Sequence, residues 1–513
     1  MRASSRPTRL LLALIASRVR SATTCGEPQT IQLSLGPCVI LSNPSDIISW
    51  GIRIGVDNSG EVCAVPSTVV NSTFLASSEI CNKDQLDFQG LHLTESQCRS
   101  KRGGYTFKDR LPPTPIAGLA ELNPGWGALD NTITESVNAT LRLGRHDIST
   151  VAPLFSDGNV SVTSHLGLAA GSTLLQDLKD RLLIGSRSWG LNSGSHSERF
   201  PRPGSLILGG YDEASLAGSF QYFDVKVPDK LETRNCPLQV LITGLSMVIH
   251  SPNTTQPVVK ELVSNANKLP ACIEPYDNQF RMPGPILGQI QSLFREVTRF
   301  PGSPVAPSEY MDRLYNIEPG IVYPTSAGPF NATLRFTLNS QLMVDVPFYE
   351  IQRPLRGLDA KGRLVRDANY TELQIYGMPA EADAPVLGKT FLSQLYLYVN
   401  YETMKFGLAP QSTAHTTSIL VATDGEVCRA TPPGASSERK ALMGVSVVLG
   451  VLMISLGGLW AYKRRRKPGS PQQGVDLPRM QAELSEVPPY VSLPRDKPKD
   501  IPAIVKQDVD YQP

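Results

Sequence analysis

The chain has 513 residues, 41% of them hydrophobic and 19% charged, with a net charge of +2. That balance excludes a disordered, collagen-like or coiled-coil chain, and the near-neutral charge argues against a broad nucleic-acid-binding surface. The length suits two to four domains of ~100–200 residues, or one two-part body that takes up most of the chain.

The charge is unevenly distributed: +5 over residues 1–21, −6 over 22–462 and +3 over 463–513. Arg2, Arg6 and Arg9 precede the apolar run Leu10–Ala16 and the small residues Val19, Ser21 and Ala22, a layout that predicts a signal peptide over 1–21. From there to residue 410, short apolar runs are punctuated every ~10 residues by Gly, Pro, Asn or Asp. Predicted strands include Ile48–Ile54, Ser205–Leu208, Phe220–Val227, Leu238–Ile249, Leu334–Leu338 and Gln394–Asn400, and helices are predicted at Leu174–Leu183 and Leu287–Thr298. The fold class is all-β with a few peripheral helices. Lys101-Arg102, between Cys98 and Gly103-Gly104, is expected in an exposed loop, where an ordinary basic pair is favoured over a processing site.

Residues 411–440 are rich in Ser, Thr, Ala and Pro and read as a stalk. Residues 441–462 (ALMGVSVVLGVLMISLGGLWAY) carry no charge and would form about 33 Å of helix, enough to cross a ~30 Å hydrocarbon core. Ser446 and Gly450 within them have small-xxx-small spacing. The cluster Lys463–Lys467 that follows assigns the C-terminus to the cytosol and the N-terminal part to the lumen or the outside, in a type I arrangement at the plasma membrane or an endomembrane. Residues 463–513 are Pro-rich and polar and are expected to be a disordered cytosolic tail. Tyr490-Val491-Ser492-Leu493 matches a tyrosine-based sorting signal, although a solvated linker is the favoured reading.

Two patterns agree with this topology. Glycosylation sequons occur at Asn71, Asn138, Asn159, Asn253, Asn331 and Asn369, all before residue 441. The eight cysteines, Cys25, Cys38, Cys63, Cys81, Cys98, Cys236, Cys272 and Cys428, are on the same side, as expected of disulfides formed in an oxidising compartment. Their pairing is left open among 105 possibilities.

Three segments carry a family resemblance. The first is Leu166-Gly167-Leu168 with Gly171-Ser172, followed by Leu174–Ile184 and Gly204–Asp212. The second is Pro385–Leu392 with Tyr396–Asn400 and Lys405–Ala409. The third is Ala271-Cys272-Ile273-Glu274-Pro275-Tyr276-Asp277, running on to Pro283. In order and spacing they resemble the pepsin-like aspartic peptidases, of the fungal, membrane-anchored type. The resemblance implies a bilobal fold, with an N-terminal β lobe over 22–229 and a C-terminal β lobe over 230–410 facing each other across a cleft, plus one C-terminal transmembrane helix. It also implies one catalytic carboxyl group from each lobe, the two sharing a proton because two like charges that close cannot both ionise.

The motifs that would supply those carboxyl groups are degenerate. Neither Asp-Thr-Gly nor Asp-Ser-Gly occurs in the sequence. The family frame sets Glu274-Pro275-Tyr276 at the second position and Pro66-Ser67-Thr68 at the first, and Pro66 has no ionisable group. Asp57, in Asp57-Asn58-Ser59-Gly60, reads as a hairpin turn ahead of the inner strand. The family's flap, which usually carries a Tyr, is expected between about Ala120 and Leu143, where no Tyr occurs and Trp126 stands between Gly125 and Gly127. Glu274, Tyr276, Asp277 and Trp126 are the candidate cleft-binding residues. No metal-ligand spacing is found among the six histidines, no nucleotide or hydrolase motif is present, and no cofactor is expected. The sequence thus favours a non-catalytic, membrane-anchored ectodomain that binds a peptide, glycan or cell-wall polymer. The alternative is an active aspartic endopeptidase that uses Glu274 with an acid from elsewhere, such as Asp57.

Overall fold

The computed structural model describes residues 30–39, 48–57, 61–76, 81, 87–88, 91–92, 94–102, 114–115, 135–155, 163–195, 197, 199–226, 236–250, 256–276, 280–310, 320–328, 330–377, 384–412, 417–423 and 427–429. The chain divides into two units, Met1–Ala435 and Ser436–Pro513, and every described residue belongs to the first. Residues 1–21, 441–462 and 463–513, expected as signal peptide, membrane helix and tail, lie outside the described residues. Among those described, no helix is long and apolar enough to cross a membrane.

The described residues are mainly β, as the short punctuated runs predict. Most strands belong to a 13-stranded and an 8-stranded sheet. The first sheet begins with Ile31–Val39 and Ile48–Val56, paired antiparallel, and it includes the hairpin of Glu135–Leu143 with His146–Phe155. The chain returns to this sheet late. Leu395–Asn400 pairs antiparallel with Ser188–Asn192, and Lys405–Pro410 pairs with Leu395–Asn400. The second sheet is centred on Gln239–Ile249, between Leu269–Ile273 and Ala332–Leu338. Ala332–Leu338 (ATLRFTL) alternates buried and half-buried residues without a break, the period-two pattern of a strand with one face on the core.

One local unit occurs in both sheets. Glu61–Ser67 runs antiparallel to Ile48–Val56 and parallel to Ser164–Gly167. Leu269–Ile273 runs antiparallel to Gln239–Ile249 and parallel to Val386–Leu387. Each of these inner strands is fixed by a disulfide, Cys38–Cys63 in the first sheet and Cys236–Cys272 in the second. A third disulfide joins Cys81 to Cys98. Cys428 is also disulfide-bonded, and Cys25 lies outside the described residues.

Both predicted helices form, over Thr173–Asp180 and Gly284–Thr298. The Ser172 hydroxyl caps the first by accepting from the Leu175 N–H at 3.1 Å. The second buries Ile286, Ile290 and Phe294 at four-residue spacing.

Two expectations are corrected. Lys101-Arg102 is not in a loop but ends the helix Glu95–Arg102. Thr94 and Gln97 form a reciprocal capping box, the Thr94 N–H donating to Gln97 Oε1 at 3.0 Å and the Gln97 N–H to Thr94 Oγ1 at 3.2 Å. An Arg99–Glu95 ion pair at i,i+4 adds to it. Nor is 411–440 entirely stalk. Ile419–Ala422 pairs with Gly210–Asp212, and Val427–Arg429 pairs in turn with Ile419–Ala422. The apolar tetrapeptide Ile419-Leu420-Val421-Ala422 is masked by the Ser/Thr-rich average of its neighbourhood, yet it is long enough to add a strand.

Candidate functional site

The two inner strands deliver their following residues to one place. Glu61–Ser67 is buried over six consecutive residues because a strand covered on both faces has no solvent side to alternate with. Its antiparallel pairing to Ile48–Val56 ends at Ala64, so Pro66, which pairs with Leu166 on its other edge, breaks no ladder by lacking an N–H. The chain then turns at Ser67 and Thr68, both fully buried. Gly167, beside Ser67, permits this packing: a Cβ there would lie 2.4 Å from the Ser72 carbonyl oxygen.

From the second sheet, Leu269–Ile273 brings in Glu274, 7% exposed, whose N–H donates to the Leu387 carbonyl at 3.3 Å. The Glu274 carboxylate accepts the Thr68 hydroxyl at 2.5 Å, and the Thr68 N–H lies 3.3 Å from both of its oxygens. The Tyr276 N–H donates to Glu274 Oε1 at 3.1 Å. Donors from both sheets therefore converge on one carboxylate.

Two side chains pack around this junction. The Tyr276 ring lies 4.3 Å from that of His165, on the strand parallel to Glu61–Ser67. Burial pushes the His165 imidazole down to about 3, which keeps it neutral at physiological pH. The Tyr401 hydroxyl donates to the Leu168 carbonyl, just after Gly167. Burial pushes that phenol up, and the nearby Glu274 charge adds to the shift.

Asp57 is elsewhere. It ends Ile48–Val56 in a left-handed turn (φ 49°), where its N–H donates to the Thr140 carbonyl at 2.7 Å and its Oδ1 accepts the Thr140 N–H at 2.6 Å. The strand Glu61–Ser67, about 20 Å by strand rise, separates that turn from Thr68. The remaining buried acids among the described residues, Asp212, Glu350 and Glu372, also make hydrogen bonds away from Glu274. Asp212 accepts from Ala214, Ser215 and Ser418, Glu350 from Ser195, and Glu372 from Gly320 and Arg353. The segment 62–78, which reaches the junction from the first sheet, contains no Asp or Glu.

Trp126 and Asp277 lie outside the described residues, as do Asn159 and Asn253. Asn138, Asn331 and Asn369 are exposed. Asn71 is half-buried, and its Oδ1 accepts the Gly171 N–H at 3.0 Å. Among the described residues, no group of three His, Cys, Asp or Glu side chains is placed to hold a metal ion.

No family model and no curated protein matches this sequence. The sequence frame that aligns Pro66-Ser67-Thr68 with Glu274-Pro275-Tyr276 names both segments that meet. It misses the contacting residue, which is Thr68 and not Pro66. It also misses His165, which sits in a strand buried over its whole length, Ser164–Gly167, but follows the polar Thr163-Ser164 in sequence and so carries no local signal of being internal.

Proposed function

We propose that the chain is a membrane-anchored protein with a pepsin-like, two-lobed ectodomain that binds a peptide, glycan or cell-wall polymer without cleaving it. The observation that carries this reading is the pairing of Glu274 with Thr68. An aspartic-peptidase mechanism requires two carboxyl groups that share a proton, one to activate water and one to protonate the substrate. At this junction the partner from the first sheet is a hydroxyl and an amide N–H, both directed at the carboxylate. Glu274 is held as an acceptor and serves to join the two inner strands.

Three further features support the reading. The inner-strand unit is repeated in the two sheets, as a two-lobed architecture built on one plan requires. The chain returns at Leu395–Pro410 to the sheet in which it began. The exposed sequons and the disulfides fit an ectodomain exposed to an oxidising compartment.

The test is binding by the full chain in detergent micelles to peptide and glycan arrays, with bound peptides then recovered and sized. The reading expects a ligand class recovered intact. Binding to neither array overturns the binding role, and shortened peptides overturn the absence of catalysis.

A further inference from the structure

Leu395–Asn400 separates two different environments. Leu395, Leu397, Val399 and the following Tyr401 belong to the main apolar core, and Tyr401 reaches Leu168 next to the Glu274–Thr68 junction. Strand alternation puts Tyr396 and Tyr398 on the other face. There Tyr398 lies 4.8 Å from Tyr211 and 5.6 Å from Phe220, and Phe220 lies 5.7 Å from Tyr222. Gly407, between Tyr398 and Tyr222 in the register, lets Phe220 lie flat on the strands, since a Cβ there would come within 2.9 Å of its ring.

This aromatic face is open at its margin. Tyr222 is 49% exposed and Val427 is 45% exposed. The register puts Tyr211, Leu420, Ala422 and Val427 on one side of their three-stranded sheet, so Val427 continues the patch. Asp224 and Lys405 stand opposite each other at its edge and cancel in charge.

The occupant is indicated by where the chain goes next. Arg429, the last described residue, pairs with Leu420, which pairs with Tyr211. Eleven residues, 430–440, then precede the apolar run at Ala441, and fully extended they reach no further than ~40 Å. A half-exposed tyrosine, Tyr222, at the margin of an aromatic cluster on a tethered body matches the chemistry of the membrane–water interface, where Tyr and Trp concentrate.

We propose that this aromatic face is seated at a phospholipid bilayer, with Tyr222 and Val427 among the headgroups and the Glu274–Thr68 junction on the opposite face of the sheet, turned away from lipid. The proposal rests on the membrane-anchored reading above. To test it, the full chain is reconstituted in phosphatidylcholine vesicles containing phosphatidylserine, with the photoreactive p-benzoylphenylalanine at position 222, 427 or 343. Met343, 60% exposed on an edge strand of the second sheet, is the control. About tenfold more lipid adduct is expected at 222 and 427 than at 343, the contrast between an interfacial and an aqueous position. Equal lipid yields, or links from position 222 to a second copy of the chain, overturn the seating. An alkaline carbonate wash separates the two failures. Release of the chain overturns the anchored reading and the proposal with it, whereas a retained chain without lipid adducts at 222 overturns the seating alone.

Discussion

Thr68 and Glu274, 206 residues apart in sequence, are joined by a hydroxyl and an amide that both donate to one buried carboxylate. Removing the hydroxyl while keeping the shape, as in Thr68→Val, leaves a buried carboxylate short of a donor. The expected cost is about 1–3 kcal/mol, with Thr68→Ser recovering most of it. Urea unfolding of the three chains checks this. A Thr68→Val midpoint equal to that of the parent would contradict the pairing.

A second buried carboxylate has a different partner. Glu372 is fully buried and accepts from Arg353 Nε and the Gly320 N–H, each at 2.9 Å. Arg353→Leu strands that charge and is expected to cost about 3–5 kcal/mol. Adding Glu372→Gln removes the charge but keeps the Gly320 contact, so the double variant should recover much of the loss. Thermal denaturation of the single and double variants measures the recovery.

His165 makes stability depend on pH. Its imidazole takes up a proton near pH 6.5 when unfolded but only near 3 when buried in the fold. Between those values the unfolded chain holds more protons. The contribution is therefore complete above about pH 6.5 and is lost as the pH falls toward 3, by at most ~1.4 kcal/mol per pH unit. His165→Leu should flatten that part of the profile, as read from urea midpoints between pH 4 and 7. An unchanged slope would show that the imidazole charges freely in the fold.

Asn71 is expected to remain unmodified even though its sequon is intact. Its side chain is hydrogen-bonded to Gly171, and Ser72 and Thr73 are each 3% exposed. Asn138, Asn331 and Asn369 are exposed and should carry glycans. Peptide mapping after enzymatic deglycosylation in heavy-oxygen water distinguishes the sites. A modified Asn71 in the folded protein would contradict its internal role.

What could be read in the sequence depended on how local the signal was. The strands Ala332–Leu338 and Leu395–Asn400 and the helix Gly284–Thr298 were legible because periodicity and flanking Pro or Gly act within a few residues. The helix Glu95–Arg102 has the equally local signal Thr94-Glu95-Ser96-Gln97, but its uniformly polar composition reads as loop. The strand Ile419–Ala422 was hidden by averaging over a Ser/Thr-rich window. The Thr68–Glu274 contact lay beyond local reading altogether. Which of three adjacent residues meets a carboxylate 206 positions away depends on where the ladder ends at Ala64 and how the chain turns after Pro66.

The central claim, that the junction of Glu274 with Thr68 does not hydrolyse peptides, is tested most directly by incubating the full chain with a mixed-peptide library from acid to neutral pH. New termini are counted by mass spectrometry, alongside Glu274→Gln and a pepstatin-treated sample. The result expected is no cleavage above the blank and no difference among the three samples. Cleavage by the parent chain that either Glu274→Gln or pepstatin abolishes would contradict it.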